Sequence, residues 1–213
     1  MLESTHCQPA AAPWVRQQQA CPTMEIAMFG WLATHVARVC PRAVGADVER
    51  RWLRIAPSLL ARRLPAAGPL LYLPCAVPTP ADAPTGLLAG CRELAPLLYV
   101  RRLVAACAVG SDGPHEWLEC RARDGRLCAR LHLLPDSDYL GWDALLAEGT
   151  PVRAERSARR GDERIKAAQL LDFQCLRLAG FEVLDALPTA RVSALGGGIA
   201  RGIARAEGLA LSC

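Results

Sequence analysis

The residues with the clearest chemical potential lie between Glu116 and Leu134. Asp124-Gly125 is a pair favoured in a two-residue type I′ turn. If the chain reverses there, the pleat fixes the pairs by arithmetic. Ala122 faces Leu127, Cys120 faces Ala129 and Leu118 faces Leu131, all on one apolar face. The other face pairs Arg123 with Arg126, Arg121 with Cys128, Glu119 with Arg130, and Trp117 with His132. A one-residue slip would scramble the apolar face, so the pattern selects one register. An indole, an imidazole and a row of guanidinium groups side by side suit a flat, anionic, metal-bearing ligand. Trp117 would stack, His132 would supply an axial nitrogen, and Arg121 and Arg130 would pair carboxylates. His35 and His115 stand behind His132 as alternative metal ligands. The ordinary alternative is the solvated polar face of an antiparallel sheet.

Other constellations carry less. The ten cysteines are Cys7, Cys21, Cys40, Cys75, Cys91, Cys107, Cys120, Cys128, Cys175 and Cys213, and no two form a C-x-x-C. Zinc ribbons and thioredoxin-type sites therefore lose their signature. Several sit in apolar runs, where a thiol behaves as a small hydrophobe. Cys21-Pro22 and Cys40-Pro41 are the kind of pair seen in haem-responsive proteins, at a frequency that composition alone explains. No Gly-x-Ser-x-Gly and no His-Glu-x-x-His occurs, so neither hydrolase signature is present. Asp136, Asp138 and Asp143 cluster after the hairpin, and helix capping accounts for the first two. Gly196-x-Gly198-x-x-x-Gly202 loosely has the look of a phosphate loop, but it is expected to lack room for a βαβ unit and no Gly-Lys-Ser/Thr follows; a flexible helix start is the ordinary reading.

The elements that must position these groups follow from periodicity and breakers. Residues 1–22, rich in Gln, Ala and Pro, form a flexible arm, and 23–213 make one α+β domain, with 151–213 a possible helical subdomain. A buried helix is expected over 24–40, closed by Pro41, and a second over 47–64 with Pro57 kinking or splitting it. Leu70–Val77 suits a short buried strand with Pro74 at an edge or bulge. Residues 78–85 form a linker, 86–94 a short helix, 97–109 a β-like run crossed by Arg101 and Arg102, and 110–114 a loop. After the hairpin come a helix from Tyr139 to Gly149, an Arg-rich connector over 150–163, a helix over 163–179 stopped by Gly180, and a final helix weakened by Gly202. The fold expected is α+β, an antiparallel sheet containing the 116–134 hairpin and packed by N- and C-terminal helices.

Composition bounds the function. The chain has 213 residues, 52% hydrophobic and 22% charged, enough for a full core without disulfide or metal staples. No run of 18 apolar residues occurs, which argues against a membrane span. Net charge is +4, so a nucleic-acid partner is not demanded. Lys166 is the only lysine among 25 basic residues. That bias follows from a GC-rich genome or from a surface built for anions. The first twenty residues lack the basic start and apolar block of a secretory leader, which points with the free thiols to the cytoplasm.

The stretch from His115 to His132, with Leu98-Tyr-Val-Arg-Arg-Leu-Val104 before it and Tyr139-Leu-Gly-Trp142 after it, resembles one piece of the bacterial cytoplasmic haem-utilisation carriers, the haemin-transport and haem-degradation proteins. The resemblance covers about residues 97–146. It departs from that family in the returning strand, where Cys128-Ala-Arg130 replaces a Lys-rich segment. It implies a haem-binding, non-membrane protein of α+β fold; together with the hairpin's polar face it leads to the expectation of an intracellular, non-catalytic haem or haemin binding or trafficking protein. The competing expectation is a regulatory or adaptor module whose Arg-rich connector (Arg153, Arg156, Arg159, Arg160, Arg164) meets an acidic protein or, less readily, nucleic acid. An enzyme without a recognisable motif is the third possibility.

Overall fold

A computed structural model describes residues 48–76, 86–110, 113–154, 164–189 and 191–212, all of them within one compact unit. The expected arm over 1–22, the helix over 24–40, the linker over 78–85 and most of the Arg-rich connector lie outside those residues. The described chain is α+β. Ten strands form one mostly antiparallel sheet in the order β3-β9-β8-β2-β6-β5-β4-β1-β7, with β10 pairing β8 in parallel.

The hairpin is at the centre. Strand β4 (Arg102–Gly110) pairs β5 (Gly113–Arg121), which pairs β6 (Leu127–Leu133). The outer pairs are those the pleat arithmetic gives: Trp117 with His132, Leu118 with Leu131, Glu119 with Arg130 and Cys120 with Ala129. The turn differs. The register shifts after Cys120, Arg121 pairs Leu127 rather than Cys128, and Cys128 is the extra residue of a bulge. The Gly125 N–H bonds to the Ala122 carbonyl at 3.0 Å, and Gly125 has φ 85 while Asp124 stays out of the left-handed region. This is a three-residue reversal with glycine in the αL position, not a type I′ turn. Asp124 has no positive φ, and its Oδ1 accepts the Arg126 N–H at 3.0 Å.

The first face of the sheet is covered by α1 (Pro57–Arg63), a 3-10 turn (Leu64–Ala67), a 3-10 helix (Arg92–Tyr99) and α2 (Tyr139–Ala147). Leu53, Leu70, Tyr72, Leu103, Leu118, Leu131 and Phe173 meet these helices in the main core. The second face carries a smaller core. There α3 (Ala194–Ala206) lays Ile199, Ala200, Ile203 and Ala204 against Leu71 and Leu73 of β2 (Leu70–Pro74) and Ala168 and Leu170 of β8 (Ala168–Leu178).

Several expected elements are corrected. The helix over 47–64 is strand β1 (Val48–Arg54) followed by α1. Pro57 sits at the helix start because its ring forces Ala56 to be extended (φ −79, ψ 140) and suits the first helical position. The helix over 86–94 is strand β3 (Leu87–Ala89), followed by the 3-10 helix. The strand expected over 70–77 is present but central, between β6 and β8, and Pro74 is its last residue rather than an edge marker. The helix over 163–179 is strand β8, which with β9 (Phe181–Pro188) turns at Ala179 (φ 48) and Gly180 (φ 85). Two left-handed central residues are what a type I′ turn requires, so Gly180 serves a hairpin and not a helix stop. The described residues of the 151–213 region therefore supply strands to the common sheet besides α3. Strand β8 is apolar toward both cores, which blurs the period-2 signal into a continuous run.

Candidate functional site

The hairpin brings the expected residues onto the second face. Trp117 and His132 stack, with ring centroids 6.1 Å apart and planes 22° apart. His132 lies between Trp117 and Leu71 in the ladder and is 8% exposed. Burial is the main cause that lowers its pKa to about 3, with the Arg130 charge and His115 adding to the effect. The imidazole is thus neutral. Its Nε2 is buried without a hydrogen-bond partner, as is the Nε of Arg130. His115 is two residues before Trp117 on the same face, opposite Ala108. His35 lies outside the described residues.

The guanidinium groups are engaged within the fold. Arg121, 9% exposed, donates from Nε (3.0 Å) and Nη2 (2.6 Å) to Glu119 Oε2 and from Nη1 to the Gly125 carbonyl at 2.8 Å. It fastens the turn, and the carboxylate compensates its buried charge. Arg130 Nη1 pairs with Glu207 Oε1 at 2.8 Å, tying the hairpin to the C-terminal cap of α3. The polar face is therefore half-buried, not solvated. Among the described residues no group of His, Cys, Asp or Glu side chains is arranged to hold a metal ion.

The aspartates act as caps, divided between two helices. Asp138 accepts the Gly141 N–H at 2.9 Å at the start of α2. Asp136 accepts from the N–H (2.9 Å) and hydroxyl (3.0 Å) of Ser193, which in turn caps α3 through the Gly196 N–H at 3.1 Å. Sequence reasoning named Asp143 of α2 but passed over Glu116, the carboxyl that interacts with it. Trp142 Nε1 donates to Glu116 Oε2 at 3.2 Å. Burial chiefly raises the pKa of Glu116, against the Trp142 bond and with Asp143 adding to it. Burial likewise raises Asp143, countered by Arg51. Glu116 satisfies the indole of Trp142, the most deeply buried tryptophan among the described residues, a structural task.

Sequence reasoning also missed a cleft on the first face. It lies between α1 and the β8–β9 hairpin, has a volume of about 740 Å³, and is lined by Leu59, Pro65 and Phe173 with Arg62, Arg63 and Arg177 around them. Arg62 pairs with Glu182 at 2.9 Å, and Arg63 pairs with Glu148. Arg177 is exposed and stands opposite Glu182 in the ladder. No periodicity connects Arg62 to Arg177; only the packing of α1 against β8 does.

No family model, curated protein or solved structure matches this chain. No helix among the described residues is long and apolar enough to cross a membrane.

Proposed function

We propose that this protein is a non-catalytic interaction module that takes an acidic, partly apolar segment of a partner protein into the α1–β8–β9 cleft. The observation that carries this is a cleft that Leu59, Pro65, Phe173 and Leu176 line together with three guanidinium groups and one carboxylate, Glu182. The two existing ion pairs do not close the site. Exposed pairs contribute only about 0–1 kcal/mol each, so an incoming carboxylate exchanges with Glu182 or Glu148 at little cost while the arginines stay oriented. Guanidinium favours such exchange because its planar fork matches a carboxylate. The test is fluorescence anisotropy of the full chain with a labelled peptide of alternating Glu and Leu, against a Gln/Leu peptide as control. Saturable binding of the acidic peptide alone is expected. It should weaken with added salt as exposed charges are screened, and weaken roughly tenfold in the Arg62→Ala/Arg177→Ala double variant. Equal binding of both peptides, or none, refutes the assignment.

A second reading, an intracellular haem or haemin carrier, is favoured by one observation: the neutral, unpartnered Nε2 of His132 beside Trp117. A neutral imidazole nitrogen is the donor that haem iron takes. Arg121 and Arg130 would meet the propionates by exchanging Glu119 and Glu207. Haemin titration decides it: a Soret shift lost in His132→Ala supports this reading, and an unshifted spectrum ends it.

A further inference from the structure

The second face of the sheet is dry well beyond the reach of α3. That helix packs on Leu71 and Leu73 of β2 and on Ala168 and Leu170 of β8. Two ladder rows carry the face onward, Leu71–His132–Trp117–Ala106–Arg50 and Leu73–Arg130–Glu119–Val104–Trp52. Val104 is 0% exposed, Ala106 3% and His132 8%. On the other face of the same strand Ala105 and Cys107 are only half-buried and Val109 stands in water. Yet α1, α2 and the 3-10 elements belong to the main core on that other face, and among the described residues no helix packs over β4 and β5 on the second. In-plane neighbours do not account for the dryness. The indole of Trp117 stacks on His132, on the side of the ladder away from Ala106. Side chains stand roughly perpendicular to a sheet, so one walled only from the sides still shows its tip to water.

We infer that the stretch just before β1, residues 31–47, docks on this part of the face and covers Val104, Ala106, Trp117 and His132. Burial of these residues is burial by atoms of the same chain, so the cover is one of the segments outside the described residues. Of residues 77–85 only Val77 is a large aliphatic, and residues 155–163 hold nothing more apolar than Ala158. Neither stretch has the apolar surface to dry this face. Residues 31–47 have it: Trp31, Leu32, Val36 and Val39 recur at helical spacing ahead of Pro41. The tether also fits. The chain enters the sheet at Val48, on the same face as Arg50 and Trp52 and opposite Ala108. From there His132 is three strands away, roughly 15 Å. Residues 41–47 extend to about 23 Å, enough to set the apolar stretch over β4, β5 and β6. A ligand that takes the Nε2 of His132 must then displace residues 31–47, so this segment sets access to the Trp117–His132 pair. The cleft on the first face is separate from this contact.

Two measurements on the full chain test it. Replacing Val36 by the photo-cross-linker benzoylphenylalanine and mapping the products by mass spectrometry should give cross-links to β4 (Arg102–Gly110) and β5 (Gly113–Arg121). Diethyl pyrocarbonate, which acylates neutral imidazole, should spare His132 in the wild type. It should modify His132 roughly tenfold or more faster in Leu32→Asp/Val36→Asp, because carboxylates placed against apolar side chains drive the segment off the face. Cys128, in the core on the first face, should stay closed to alkylation in that variant, which shows the sheet intact. Cross-links from position 36 only to other elements, or none, overturn the inference. So does modification of His132 in the wild type at the rate of the variant, or protection that the double variant leaves unchanged. If the double variant also opens Cys128, its sheet has unfolded and the cross-linking alone decides.

Discussion

His132 offers a quantitative check on the hairpin's buried face. Its pKa falls from 6.5 to about 3 on folding, mainly because burial opposes the imidazolium. The unfolded chain therefore binds more protons than the native one between those two values, and stability drops as pH falls through that window. Well above pH 6.5 both states hold the neutral ring and nothing is lost; well below pH 3 the loss is complete. Linkage over this window makes the protein about 2 kcal/mol less stable at pH 5 than at pH 7.5 from this residue alone. Glu116 and Asp143 work in the opposite direction, since their raised values make the native state the better proton binder. The comparison is therefore with His132→Phe, which keeps a ring against Trp117 and leaves those carboxyls in place. Urea unfolding at the two pH values should show the wild type losing about 2 kcal/mol more than the variant between them. Equal losses in the two proteins would falsify the buried, neutral assignment, and with it the account of His132 as an available nitrogen donor.

Two further outcomes test the packing around the site. Gly141→Ala would place its Cβ 1.8 Å from the Ala66 carbonyl oxygen, so α2 must move off the Leu64–Ala67 turn. Denaturant unfolding should show a loss of about 3 kcal/mol, and an unchanged midpoint would mean the two elements do not touch. Cys120 and Cys128 are buried, and burial pushes the Cys128 thiol up to about 12, whereas Cys91 is exposed. Alkylation of the native protein at pH 8, mapped by mass spectrometry, should label Cys91 and spare the other two until denaturant is added. Early labelling of Cys128 would contradict the bulge packing.

The 116–134 hairpin was legible because its apolar residues alternate on one face, and alternation fixes register wherever one face is buried. Even the pairing of Trp117 with His132 follows from that pattern. The turn was not legible, since Asp-Gly is compatible with both a two-residue and a three-residue reversal. Arg121, reaching back to Glu119 and Gly125, holds the longer one. Strand β8 was misread because burial on both faces erases the period that separates strand from helix. The caps at Asp138 and Ser193 are local, and Asp138 was visible as a candidate.

The amino-acid sequence by itself determined the α+β class, the central register and the chemical character of each hairpin face. These follow from side-chain alternation and turn-forming residues, which act over a few positions. The tertiary structure alone decided that the polar face would be tied to the C-terminal end of α3, with Arg130 bound to Glu207, and that His132 would be buried and neutral. It alone gathered Arg62, Arg63 and Arg177 into one cleft and left Leu176, Leu178 and Phe181 in water. Burial depends on which distant segment arrives to cover a face, and no local pattern carries that information.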